Sequence, residues 1–182
     1  GVAQLYDLKP DIVTYGKALG QGFPIAAIAG PDHIMESIEY GKVLHYGSHN
    51  APRLGLFATK TMLEEMSRDN FAGFQKMSEV GEQMTRRLNQ VARDTGHNMR
   101  VQNVGSMFHP VFTDLTEITT YREFCQTVDL HKYGEFSQKM RDQGIFFSGN
   151  KILHNLNCTE HTETDIDASI ETTGTALEQL AK

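Results

Sequence analysis

The sequence predicts an α/β segment followed by an α+β region, and three observations lead there. Two short apolar runs, Asp11 to Tyr15 and Ile25 to Ala29, read as buried strands flanking a glycine-rich loop. A long stretch of helix-spaced apolar residues comes next. From Met99 onward, short strand patterns are mixed with helical ones. The expected division is 1–97, the end of a larger domain with its connecting helix, and 98–182, a small α+β domain.

Between the first two strands lies Gly16-Lys17-Ala18-Leu19-Gly20-Gln21-Gly22-Phe23-Pro24, whose glycines permit backbone angles that other residues resist. Pro31-Asp32 opens a short helix ending near Gly41. A loop rich in His, Gly and Asn spans 45–50, and Leu54 to Met66 reads as a helix. A second helix is expected from about Asn70 to Thr95, with Phe71, Phe74, Met77, Val80, Met84, Leu88 and Val91 on one face and Gly96 as its stop.

Met99 to Val104 and Met107 to Thr113 are expected strands, with Pro110 pushing the second toward an edge or a bulge. Tyr121 to Val128 and Tyr133 to Met140 carry helical spacing, and Gly144 ends the latter. Ile145 to Phe147 and Lys151 to Leu156 read as short strands. The last helix takes Thr162 as its cap, with Asp165 three residues on and Ile166, Ile170, Leu177 and Leu180 inward.

The bulk numbers narrow the function. The chain has 182 residues, 39% of them hydrophobic and 22% charged, which suits a packed core. A formal net charge of -6 leaves no basic surface for phosphate backbones, so nucleic acid is not an expected partner. Cys125 and Cys158 fit neither a disulfide framework nor a metal-ligand spacing and read as free thiols of a reducing cytoplasm. No leader pattern is visible, and the weakly polar stretch from Ile12 to Pro31 is too broken for a membrane span, so a soluble protein is expected. His45 and His49 have helical spacing, but Gly47 between them argues against a helix and no third ligand is evident, so no metal site is expected.

Lys17 is the only charged side chain between Asp11 and Asp32. A lysine is ordinarily a solvated surface group. With apolar strands on both sides, its amine is expected to lose hydration and become nucleophilic, as Schiff-base chemistry requires. Two phosphate-loop readings fail. A Walker loop needs glycine at 11 and Ser or Thr at 18, where the chain has Asp11 and Ala18. A dinucleotide fingerprint starting at Gly20 needs glycine where Ile25 stands.

The run from Lys9-Pro10-Asp11 through Gly16-Lys17 to Gly20-Gln21-Gly22-Phe23-Pro24-Ile25 resembles the lysine segment of the class III aminotransferases, with Gln21 in place of one glycine. That resemblance implies a fold-type-I transferase dependent on pyridoxal 5'-phosphate, with Lys17 forming the internal aldimine and shuttling the proton. Gly47-Ser48-His49-Asn50-Ala51 resembles the family's phosphate loop and implies that Gly47 and Ser48 bind the cofactor phosphate of a neighbouring subunit, hence a homodimer. Pro52-Arg53 stands where the family has Asn-Pro.

Val104 to Phe108, Phe112 to Asp114, and the run from Phe136 through Phe147 to His161, Asp165 and Ile166 resemble the glutamate-1-semialdehyde aminomutase branch. Where that branch has an aromatic-Glu pair, this chain has Ile152-Leu153, so an aminotransferase acting on an amino acid, amine or semialdehyde fits as well as an aminomutase. The family's stacking aromatic residue and the Asp that pairs with the pyridine nitrogen match nothing here; Asp7 and Asp11 do not take that place. The chain is therefore expected to be a C-terminal fragment, inactive alone. Two other readings stay open: a non-catalytic binding or dimerisation module derived from such an enzyme, and a free-standing α+β ligand-binding domain.

Overall fold

A computed structural model describes residues 2–39 and 41–180. The chain separates into two compact units, 1–70 and 71–182.

In the first unit, α1 (Val2–Leu5) precedes a two-stranded antiparallel ribbon. Its strands β1 (Val13–Tyr15) and β2 (Ala27–Ala29) pair Val13 with Ala29, Thr14 with Ile28 and Tyr15 with Ala27. Both were expected to be buried; they are largely exposed, Tyr15 at 50% and Ile28 at 45%. A two-stranded ribbon has no second layer of its own to cover it. Helix α2 (Asp32–Glu39) follows.

Helix α3 (Arg53–Asp94) is continuous by its hydrogen bonding and runs across the division between units. Yet Asp69, Asn70 and Phe71 have φ of 48°, 55° and 64°. Three consecutive left-handed residues interrupt a right-handed helical path. The interruption falls where the sequence separates one helix from the next.

The second unit carries the core. Val80, Met84, Leu88 and Ala92 of α3 are buried, as the periodicity requires, whereas Phe71 and Phe74, expected on the same face, are about half exposed. They lie at the interrupted end of the helix, before the burial begins. The sheet has the order β3-β4-β5, all antiparallel, from Met99–Val104, Met107–Phe112 and Asn155–Leu156.

Pro110 lies in the middle strand and not on an edge strand. Its partner in register is Val101, whose N–H donates to Asn89 Oδ1 at 3.0 Å and whose C=O accepts from Asn89 Nδ2 at 2.8 Å. Val101 thus directs both backbone groups away from β4, and β5 pairs only with Met107 and Phe108. A proline at this position removes no ladder bond.

Helices α4 (Tyr121–Thr127), α5 (Leu130–Asp142) and α6 (Glu163–Glu178) complete the unit. Thr162 caps α6, its hydroxyl accepting from Asp165 N while the Asp165 carboxylate accepts from Thr162 N at 2.8 Å. Phe112, Phe136 and Phe147 join edge to face, with ring centroids 5.8 Å apart in each successive pair.

The strands expected at Ile145 to Phe147 and over Lys151 to Leu156 shrink to Asn155–Leu156. Local bonds hold this segment in turns: Ile145 N donates to Met140 O, Leu153 N to Asn150 O, and Ile152 N to Asn150 Oδ1. No helix among the described residues is long and apolar enough to cross a membrane.

Candidate functional site

The hairpin of the first unit delivers Lys17 to the end of β1. Gly16 is extended, Lys17 turns to φ 54°, and a single 3-10 turn covers Lys17–Gly20. The loop closes on itself: Leu19 N donates to Gly16 O at 3.1 Å, Phe23 N to Gly20 O at 2.9 Å, and Ile25 N to Phe23 O at 2.9 Å. Gln21, which stands where the related pattern has glycine, takes φ 49°, and its side chain donates to Ala18 O at 3.0 Å. The amide bond offsets part of the left-handed cost that a glycine would avoid.

Gly20 is buried, and a Cβ there would lie 2.7 Å from Ile25 Cγ2. A side chain at 20 would force the two limbs of the lysine loop apart. Ile25 meets a second glycine as well: a Cβ on Gly55, in the first turn of α3, would sit 3.1 Å from Ile25 Cβ. Ile25 therefore ties the lysine loop to the helix that leaves the second segment.

That second segment is a tight turn. Asn50 N donates to Gly47 O at 3.0 Å, and a Cβ on Gly47 would meet Asn50 Oδ1 at 3.0 Å. Ala51 at φ 50° and Pro52 then lead into α3. Gly47 and Ser48 are exposed.

Lys17 is exposed too, so the loss of hydration expected from its apolar flanks is not supplied by this unit. Its flanking strands are themselves uncovered, which is why. The amine of Lys17 and the hydroxyl of Ser48 engage no hydrogen bond or ion pair among the described residues, and both are free to meet a ligand. An exposed primary amine can attack a carbonyl carbon, and an exposed turn hydroxyl can donate to a phosphate oxygen.

The role of Ile25 and Gly55 was not read from the sequence. A glycine three residues into a helix carries a signal, because it costs about 1 kcal/mol against alanine unless close packing requires it. Among the described residues no group of three or more His, Cys, Asp or Glu could hold a metal ion.

Comparison with known proteins agrees over nearly the whole chain. A glutamate-1-semialdehyde 2,1-aminomutase of Thermus thermophilus is 32% identical over 178 residues, which are 97% of this chain and 41% of that protein. The solved structure of an omega-transaminase from Sphaerobacter thermophilus superposes with a TM-score of 0.82 at 21% identity, covering 98% of this chain and 40% of that one. A structure described as a transaminase with PLP bound gives the same figures. The chain spans about two fifths of the length of the relatives it matches. It shares the fold of the part it matches, a portion of a fold-type-I transferase. The family profile for class III aminotransferases covers residues 2–176, and the chain belongs to that family.

Proposed function

We propose that this chain carries the cofactor lysine and one phosphate-contacting turn of a cytoplasmic, homodimeric enzyme that uses pyridoxal 5'-phosphate to transfer an amino group. The observation that carries this reading is the placement of Lys17. A free amine stands in a left-handed turn at a strand end, in a loop joined through Ile25 to the helix that follows the Gly47-Ser48 turn. Membership of the family and the PLP-bound transaminase among its structural neighbours support the choice of cofactor.

When bound, pyridoxal phosphate supplies an aldehyde and an electron-withdrawing ring that stabilises negative charge on the substrate carbon. Lys17 Nζ would hold the aldehyde carbon and, once displaced by the substrate amine, would move a proton at that same nitrogen. Ser48 Oγ and the Gly47 turn would bind the phosphate, serving the neighbouring subunit. Gly20 and Gly55 keep both loops close to Ile25 and so orient the lysine.

Residues 1–97 would belong to the cofactor-binding domain and 98–182 to the small domain. The substrates would be an amino acid, an amine or a semialdehyde. Ile152 and Leu153, 52% and 48% exposed, offer no carboxylate to the substrate end, which favours transfer between separate molecules over aminomutase chemistry. The 182-residue chain alone would bind the cofactor weakly and turn nothing over, because its lysine is open to water.

The experiment is borohydride reduction of a full-length protein carrying this chain, followed by peptide mapping. Label should appear on the peptide containing Gly16-Lys17-Ala18; label on another lysine sinks the assignment. A protein that folds and binds partners without ever taking up cofactor would instead be the non-catalytic module.

A further inference from the structure

The second unit holds a thiol that the proposed chemistry does not use. Cys158 Sγ lies 3.3 Å from His161 Nδ1, and the same nitrogen accepts the Cys158 backbone N–H at 3.1 Å. The backbone bond needs Nδ1 unprotonated and turns it toward the sulfur; on taking the thiol proton, Nδ1 exchanges that bond for an N–H contact to the thiolate. His161 N donates in turn to Cys158 O at 3.3 Å, so residues 158–161 form a closed turn just before the Thr162 cap of α6.

The pair borders a cavity of about 700 Å³ whose apolar wall includes Met84, Phe108, Phe147 and Ile166. Asn157 lines the same cavity. It is only 6% exposed, and among the described residues neither its Oδ1 nor its Nδ2 has a hydrogen-bond partner. An unpaired buried carboxamide costs about 1–3 kcal/mol, so this wall favours an occupant that brings a hydroxyl or amide. Glu160 and Asp165 also line the cavity and disfavour an anionic occupant. The other cysteine is a natural contrast: Cys125, on α4, is exposed as Cys158 is, but faces the Tyr121 phenol, which is no base at neutral pH.

We propose that Cys158 is a modification site that exchanges with small, non-anionic disulfides carrying a hydroxyl or amide, with His161 as its base. His161 Nδ1 takes the Cys158 thiol proton, and the thiolate attacks one sulfur of the disulfide. A new S–S bond joins Cys158 to that half as the old S–S bond breaks. The other half departs as a thiolate and takes the proton back from the imidazolium. Cys158 is oxidised, one half of the disulfide is reduced, and no further oxidant is needed. The site is independent of the cofactor reading and keeps its test if that reading fails.

The test is timed labelling of the protein with hydroxyethyl disulfide, with each cysteine followed by peptide mass mapping. Cys158 should react at least about tenfold faster than Cys125, releasing one equivalent of 2-mercaptoethanol. In His161→Gln the Cys158 rate should fall to the Cys125 rate while Cys125 is unchanged. In denaturing urea the two cysteines of the unaltered protein should react alike, a comparison that needs no variant. Equal rates in the folded protein, a Cys158 advantage that survives His161→Gln, or one that survives urea would each overturn the proposal.

Discussion

A Cβ built on Gly81 would lie 2.1 Å from the carbonyl oxygen of Gly105. Helix α3 thus crosses the β3–β4 turn at backbone contact, with Gly105 itself at φ 56°. The approach seats α3 on the sheet and sets Val80 and Met84 among the buried residues beside it. In an open helix interior, glycine to alanine gains about 1 kcal/mol of propensity. Here the added methyl meets a backbone oxygen that cannot rotate away. Gly81→Ala should therefore destabilise the protein by about 1–3 kcal/mol, the usual cost of overpacking. Urea unfolding measures it, and a stabilised variant would mean that the crossing is looser than described.

His109 makes stability depend on pH. Its ring packs between Phe124 and Tyr133, with centroids 6.1 and 5.4 Å away. Burial holds its pKa below the ordinary 6.5, the charge of His154 acts in the same direction, and the backbone groups of Leu153 and Lys151 oppose it. A base whose folded pKa is depressed binds fewer protons folded than unfolded. Its contribution is complete above about pH 6.5 and is lost as the pH falls through the lowered folded value. The drop in urea midpoint between about pH 7.5 and pH 5 should shrink in His109→Phe. An unchanged drop would assign the acid sensitivity to other groups.

Much of this could be read in the chain, and the failures have causes. Thr162 and Asp165 announce a capping box because its two bonds are local in sequence, and both form. The lysine loop was legible for a related reason: its glycines sit where close approach and tight turning demand them. Pro110 was misjudged because the side chain that completes Val101 is Asn89, twelve residues earlier on a different element. Apolar runs at Ile145 and Ile152 looked like strands, but Met140 O takes the Ile145 N–H and Asn150 takes those of Ile152 and Leu153, a local competition that residue type alone does not decide. The exposure of β1 and β2 was unreadable, since alternation and apolarity describe what a strand could bury and not what is present to cover it.

Ser48 should matter to cofactor retention and little to folding. It is exposed in a turn whose own bond, Asn50 N to Gly47 O, does not involve its side chain. In a full-length protein, Ser48→Ala should weaken retention of pyridoxal phosphate by about 1–3 kcal/mol, the cost of leaving a charged acceptor short of one donor. Equilibrium dialysis against the cofactor reads this directly. Unaltered affinity would remove Ser48 from the phosphate site.

Lys17 should be a residue that function needs and the backbone resists. At φ 54° it occupies the left-handed region, which costs a non-glycine residue about 1–2 kcal/mol. Its side chain makes no hydrogen bond or ion pair among the described residues that would offset this. Glycine at 17 relieves the backbone but adds unfolded-state entropy worth about 0.4–1 kcal/mol against folding. The net change for Lys17→Gly should lie between zero and about 1.6 kcal/mol of stabilisation. The same variant should lose all borohydride-trapped cofactor in a full-length protein. Lys17→Ala separates the two effects: it removes the amine and keeps the strained backbone, so it should lose the cofactor without the gain in stability. Denaturation of the three proteins side by side makes the comparison. If Lys17→Gly is the least stable of them, the left-handed turn is not a cost the chain bears for its lysine.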